Sequence, residues 1–236
     1  MALDIFVGSL ARYHAGEWET VGEKAARERT RSNPLARPRG PSELVGDPGR
    51  IAAAVMAWRS ALAAQLGHRI DEPFDWEEAL DTPWFTARPG WDGFGALMLW
   101  AAYAEHPGRR RPEMLPEQWD GDPVYLRAND EGFRSRYAQL VRPVELWLPV
   151  PFDFTFEEVT VDGRRTILGS LIALRRQLAE LNEATWEASA QTIAGWAREV
   201  PASDAPLEAR ARYAFAIVSD LVQWAVARRL PMKLDY

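Results

Sequence analysis

The chain has 236 residues, a formal net charge of -6 at pH 7, 47% hydrophobic and 26% charged residues, and no cysteine. This composition is typical of a folded globular protein and excludes general disorder, and the lack of cysteine excludes disulfides, thiolate catalysis and cysteine-ligated metal sites. The negative charge argues against nonspecific nucleic-acid binding. A chain of this length needs no metal or disulfide to fold. We predict one globular domain over residues 1–236, with a weak subdivision near residue 143 as the alternative.

The sequence predicts a cytoplasmic protein. Asp4 interrupts the N-terminal stretch at once, so that this stretch lacks the pattern of a signal peptide. The longest apolar run, residues 93–104, is shorter than the about 20 residues that a membrane-spanning helix needs. Lys24 and Lys233 are the only lysines beside many arginines, a bias that favours a GC-rich, bacterial source.

In the first half of the chain, periodicity predicts one short strand and three helices. The strand is predicted over residues 3–7, and a loop follows it. The first helix is predicted over residues 17–29. Residues 32–49 contain four prolines and are predicted to be a loop. Asp47-Pro48 begins the second helix, whose apolar residues continue to Leu66. Its second face, made of alanines, is expected to lie under another helix. Residues 71–81 are acidic, and residues 82–90 read as a loop.

The third helix is predicted over residues 92–105, with Asp92 as its N-cap. It has almost no polar face, which indicates a central helix.

In the second half of the chain, Asp122-Pro123 predicts a short helix. The next segments read as strands over 144–150 and 152–161 and a return strand over 164–168. Further helices are expected at 170–183, 189–200 and 206–230.

Asp162-Gly163 is the strongest hairpin signal in the chain. The alternation before it predicts that Phe152, Phe154 and Phe156 share one buried face. We therefore expect an α+β fold: a mainly helical body with a small, mostly antiparallel sheet that includes this hairpin and the N-terminal strand.

The histidines do not form a recognisable metal motif. His14, His68 and His106 lack the i, i+4 spacing of helical ligand pairs, so we predict no metal and no cofactor. His14 is expected in the loop after the first strand, near Glu17 and Trp18, a position often used for binding. His106 is expected at the end of the central helix, where the helix dipole favours a cation.

Nucleophile and phosphate motifs are also incomplete. Ser170 follows a strand and begins a helix, but the glycine of a nucleophile elbow is absent two residues later, so it reads as an N-cap. The glycines at 90, 93 and 95 lack both a following P-loop lysine and a third Rossmann glycine. They are expected to mark a loop–helix junction with a closely packed backbone.

These absences favour a binding or protein-interaction protein without catalysis of its own. An immunity-like inhibitor that covers a basic protein would fit the acidic segment, because complementary charge speeds association. The sequence predicts no nucleic-acid or membrane partner, and it does not identify a small-molecule ligand. The candidate interaction residues are Trp76 as apolar anchor, the flanking Glu77 and Glu78, and Trp91 in a later loop. The alternative is a hydrolase whose site combines residues distant in sequence: His14, Glu17, Asp92 and His106.

Overall fold

The computed structural model describes residues 3–30, 47–70 and 72–236. Most of the predicted loop at 32–49, and Asp71 of the acidic segment, lie outside these residues. Within them, the helices begin and end as follows: α1 Leu10–Ala15, α2 Val21–Thr30, α3 Pro48–Leu66, α4 Trp91–Ala104, α5 Pro123–Asn129, α6 Ala138–Val141, α7 Leu171–Thr185, α8 Ala190–Trp196 and α9 Leu207–Arg228. A short 3₁₀ helix spans Trp119–Gly121.

The strands are β1 Asp4–Val7, β2 Phe85–Ala87, β3 Val144–Leu148, β4 Phe156–Val159, β5 Arg165–Ser170 and β6 Met232–Asp235. They form one mixed sheet in the order β2-β1-β6-β3-β5-β4. Neighbouring strands are antiparallel, except that β3 and β5 are parallel. The α+β class is therefore confirmed, although the sheet is larger and more mixed than predicted. It combines strands from both sides of residue 143.

The predicted hairpin joins β4 to β5. Its turn closes through a 2.9 Å hydrogen bond from the Thr160 backbone N–H to the Arg164 carbonyl, and Gly163 takes a φ of 76°, which suits glycine. The strand begins only at Phe156, so it is shorter than predicted. The three phenylalanine rings still pack together, with centroids 5.1–5.8 Å apart, and Phe152 is buried.

Several short elements differ from the prediction, and α6 and the 3₁₀ helix were not predicted at all. Helix α1 was expected to be a loop, but Ser9 caps it by accepting the Arg12 N–H, and Gly16 ends it in the left-handed region. Strand β2 was also expected to be a loop, and β6 was not predicted. Elements of three to six residues carry too few positions for periodicity to identify them, and both strands depend on pairing with β1.

Helices cover both faces of the sheet and create two cores. One core contains α4, α7 and α9, and α4 is buried along most of its length, as its apolar sequence predicted. The other core lies under α1 and α3. The second face of α3 was expected to be covered, but Ala54, Ala57, Ala61 and Ala64 are exposed. The predicted contact of this alanine face with another helix is therefore wrong.

Candidate functional site

An open cleft lies where α4 ends and α5 begins. Its volume is about 610 Å³, within the range of small-molecule sites. We call it the arginine cleft, because three guanidinium groups line it. Its lining comes from the last turn of α4, the loop that follows, and α5. The lining residues are Tyr103, His106, Arg109, Arg110, Pro123, Val124 and Arg127.

The end of α4 fixes the orientation of His106. The imidazole Nδ1 lies 2.9 Å from the Ala102 carbonyl oxygen. Because a carbonyl oxygen can only accept, Nδ1 carries the hydrogen, and the neutral ring keeps Nε2 as its free acceptor. The ring packs against Phe133, with centroids 5.4 Å apart. His106 can therefore donate a hydrogen bond through Nε2 only when it is protonated.

Asp122 joins the two helices that form the cleft. One carboxylate oxygen, Oδ1, accepts the backbone N–H groups of Val124 and Tyr125 at 2.8 and 3.3 Å and so caps α5. The other, Oδ2, accepts the Tyr103 hydroxyl at 3.1 Å. Burial, and then the Asp122 charge, raise the pKa of Tyr103. The phenol thus stays protonated with its hydrogen directed at Asp122, and Asp122 already accepts three hydrogen bonds from the protein.

The arginines of the cleft have no acidic partner in the described structure. Arg109, Arg110 and Arg127 are exposed, and none of them forms an ion pair there. None of the residues that line the cleft is acidic. Arg111 points elsewhere, since its guanidinium lies 3.4 Å from the Trp100 ring centroid. The cleft therefore concentrates positive charge on a protein whose net charge is -6.

His14 lies in a different place, in a buried polar cluster between α1 and the sheet. His14 and Lys233 are 5% and 6% exposed. Burial lowers the pKa of His14 to about 4. The negative charge of Asp162 at the hairpin turn opposes this effect, and the positive charge of Lys233 adds to it. Burial also lowers the pKa of Lys233, while Asp162 and Glu145 oppose that change. The hairpin turn thus brings a carboxylate to two buried basic groups that sequence analysis did not connect.

A second part of this polar layer surrounds Asp4. The Asp4 and Asp235 residues face each other across β1 and β6, where like charges are unfavourable. Each has its own partner: Arg88 pairs with Asp4 at 2.7 Å, and the Tyr13 hydroxyl donates to Asp235 at 2.8 Å. Asp4 also accepts the Val21 N–H at 3.2 Å. These contacts explain why the buried Asp4 and the half-buried Asp235 are tolerated on this face.

Glu17 and Trp18, which sequence analysis placed beside His14, border a second cleft of about 610 Å³. Trp18 is buried against Phe6 and Tyr13. Trp84 and Phe85 form another wall, and Arg12, Lys24 and Arg27 also line the cleft. His14 is not among the residues that line it.

Trp76, the residue expected to anchor a partner protein, lies inside the protein. Residues 73–78 alternate between exposed and buried positions, so Phe74, Trp76 and Glu78 point inward. Trp76 is 2% exposed and belongs to the core under α1 and α3. Glu78 accepts the Ala11 N–H at 2.9 Å and the Trp76 indole N–H, and burial raises its pKa. Only Glu77 of the three predicted residues is exposed.

The four residues suggested for a hydrolase site do not converge. Asp92 lies in the first turn of α4 and pairs with Arg210 at 3.5 Å, while Gly90 takes the N-cap position expected for Asp92. His106 follows the other end of this helix, about 20 Å away at 1.5 Å per residue.

Trp91, the remaining residue expected to contact a partner, is half-buried. Its ring centroid lies 6.0 Å from that of Trp119 and 5.7 Å from that of Tyr236.

The described residues show neither a candidate metal site nor a candidate membrane-spanning helix. They include no group of three or more histidine, aspartate or glutamate side chains placed to hold a metal ion. None of their helices has the length and apolar character to cross a membrane. Comparison of the chain with protein-family models, curated proteins and solved structures gave no match.

The arginine cleft could not be found from sequence spacing alone. The run Arg109-Arg110-Arg111 is visible in the sequence, but it reads as part of a polar, proline-rich loop. Arg127 comes from a separate helix, and only the packing of α5 on α4 brings the two segments together. The one available signal was His106 at the end of the central helix.

Proposed function

We propose that this protein is a binding protein whose arginine cleft holds an anionic ligand. The observation that carries this proposal is the convergence of Arg109, Arg110 and Arg127 in one open cleft without a lining acid. Guanidinium groups bind carboxylates and phosphates through paired hydrogen bonds of about 2.7–2.9 Å. Three like charges around one cleft repel one another, and an anion bound among them would relieve that repulsion.

The rigid parts of the cleft support a preorganised site. Asp122 ties α5 to α4 through Tyr103, and His106 is oriented by Ala102 and Phe133. The arginines themselves are exposed, where a single ion pair contributes only about 0–1 kcal/mol. Useful affinity would therefore require that one ligand contact several of them at once.

An inhibitory role toward a basic protein stays a prediction. The burial of Trp76 and Glu78 removes the anchor that we expected for it. Glu77 is still exposed, whereas the exposed carboxylate of Asp75 already pairs with Arg229. A basic partner would thus meet fewer free carboxylates on this segment than the sequence indicates. The cleft favours an acidic ligand instead.

Isothermal titration with pyrophosphate at low ionic strength tests the proposal. We expect one saturable site, weakened by up to about fivefold in Arg127→Ala, since an exposed ion pair contributes at most about 1 kcal/mol. Arg175→Ala is the matched control, because Arg175 is equally exposed but lies on α7 outside the cleft. No saturable binding, or equal weakening in both variants, would overturn the proposal.

A further inference from the structure

We infer that the ligand of the arginine cleft is an organic polyphosphate, meaning a small molecule with two or more linked phosphates and an apolar group. This inference rests on the proposed anion-binding function and specifies its ligand class. It follows from the charge, the size and the lining of the cleft.

Charge favours linked phosphates over a single carboxylate. Arg109, Arg110 and Arg127 bring three permanent positive charges into one cleft. One carboxylate carries a single negative charge and would leave two of the arginines unmatched. A phosphate monoester carries about -1.5 to -2 at pH 7, and linked phosphates carry more. The guanidinium groups come from two elements, the loop after α4 and helix α5, and linked phosphates offer separate sets of oxygens to the two.

Size favours an organic ligand over an inorganic anion. The cleft holds about 610 Å³, and sites for drug-sized organic molecules run from about 300 to 1,000 Å³. A ligand confined to the guanidinium groups would leave the remainder of the cleft to solvent.

The lining offers a surface for that organic part. Pro123 and Val124 contribute apolar groups beside the arginines. Tyr103 adds its aromatic ring, and its hydroxyl hydrogen is already directed at Asp122. Small-molecule sites typically combine such an apolar wall with a few polar groups that fix orientation. The cleft has this arrangement, with the guanidinium groups as its polar part.

A series of anions tests the inference by isothermal titration at constant ionic strength and pH 7, without divalent metal. The probes are inorganic phosphate, pyrophosphate, tripolyphosphate, ATP and citrate. Citrate is included because it carries about three negative charges on carboxylates. We expect affinity to rise about tenfold from phosphate to tripolyphosphate, citrate to bind about tenfold more weakly than tripolyphosphate, and ATP to bind more tightly than tripolyphosphate.

Each result separates the inference from the proposed function. If citrate binds as tightly as tripolyphosphate, the cleft selects charge alone, and the inference of a polyphosphate is overturned while anion binding stands. If ATP binds no more tightly than tripolyphosphate, the organic part of the inference is overturned. If none of the probes binds, the proposed function itself fails. If the inference is right, tripolyphosphate and ATP binding is lost in the Arg109→Ala/Arg127→Ala double variant and kept in Arg175→Ala.

Discussion

The indole ring of Trp119 lies directly against the backbone of Gly95, so that a Cβ on residue 95 would come 2.3 Å from the indole Cε2. This contact fixes the 3₁₀ helix at Trp119 on the central helix α4. Asp122 follows within three residues and caps α5, which carries Arg127. The Gly95–Trp119 contact therefore positions one wall of the arginine cleft.

Gly95→Ala should destabilise the protein. The methyl group would overlap a buried indole ring, and overpacking of this kind typically costs about 1–3 kcal/mol. Gly93→Ala is the matched control in the same helix, because a Cβ there would meet Ala214 at an ordinary 3.6 Å. Alanine favours helix over glycine by up to about 1 kcal/mol, so Gly93→Ala should leave stability unchanged or raise it. Urea denaturation measures both; equal stability of the two variants would contradict the contact.

Trp76→Ala should lower the melting temperature strongly, because Trp76 is a core residue. Its ring packs on Phe74 and beneath the Arg59 guanidinium, and its indole N–H bonds to the buried Glu78 carboxylate. Truncation of a buried tryptophan typically costs about 3–5 kcal/mol. The neighbouring Glu77→Ala, at an exposed position, should leave the melt unchanged. A surface anchor would give the opposite result, with both variants melting like the wild type.

His14 should make stability depend on pH in the acidic range. The pKa of His14 is about 4 in the folded protein against 6.5 ordinarily, so the unfolded chain binds the proton more readily. The contribution of His14 to the free energy of unfolding is thus complete above pH 6.5 and is lost as the pH falls toward 4. The loss amounts to at most about 3 kcal/mol. Urea denaturation at several pH values between 4 and 7.5 measures this slope.

Substitution separates His14 from the carboxylates that also titrate in acid. His14→Gln should flatten the slope between pH 6.5 and pH 4, because the glutamine side chain takes up no proton in either the folded or the unfolded state. His68→Gln should retain it, since His68 is an exposed residue just after α3. An unchanged slope in His14→Gln would show that the histidine does not carry the effect.

The sequence predicted the elements that are long or bounded by clear signals. Asp47-Pro48 and Asp122-Pro123 begin helices as expected, and Ser170 caps α7 by accepting the Ala173 N–H. Each of these signals is local, since the capping side chain bonds to a backbone group two or three residues away. Local chemistry of this kind is independent of how the rest of the chain folds.

The positions of side chains relative to the core were harder to predict. Trp76 sits among carboxylates, which suggested a surface, yet alternation in an extended segment turns it inward with Glu78 and leaves Glu77 outside. The same limit applies to His14, because α1 is too short to show periodicity. The arginine cleft depends on the packing of α5 against α4, a tertiary contact that sequence spacing does not encode.

The most direct test of the central claim is a crystal structure of the protein soaked with tripolyphosphate. We expect density for the anion in the arginine cleft, with phosphate oxygens about 2.7–2.9 Å from guanidinium nitrogens of Arg127 and of Arg109 or Arg110. An anion bound at another place, with the cleft empty at a saturating concentration, would contradict it.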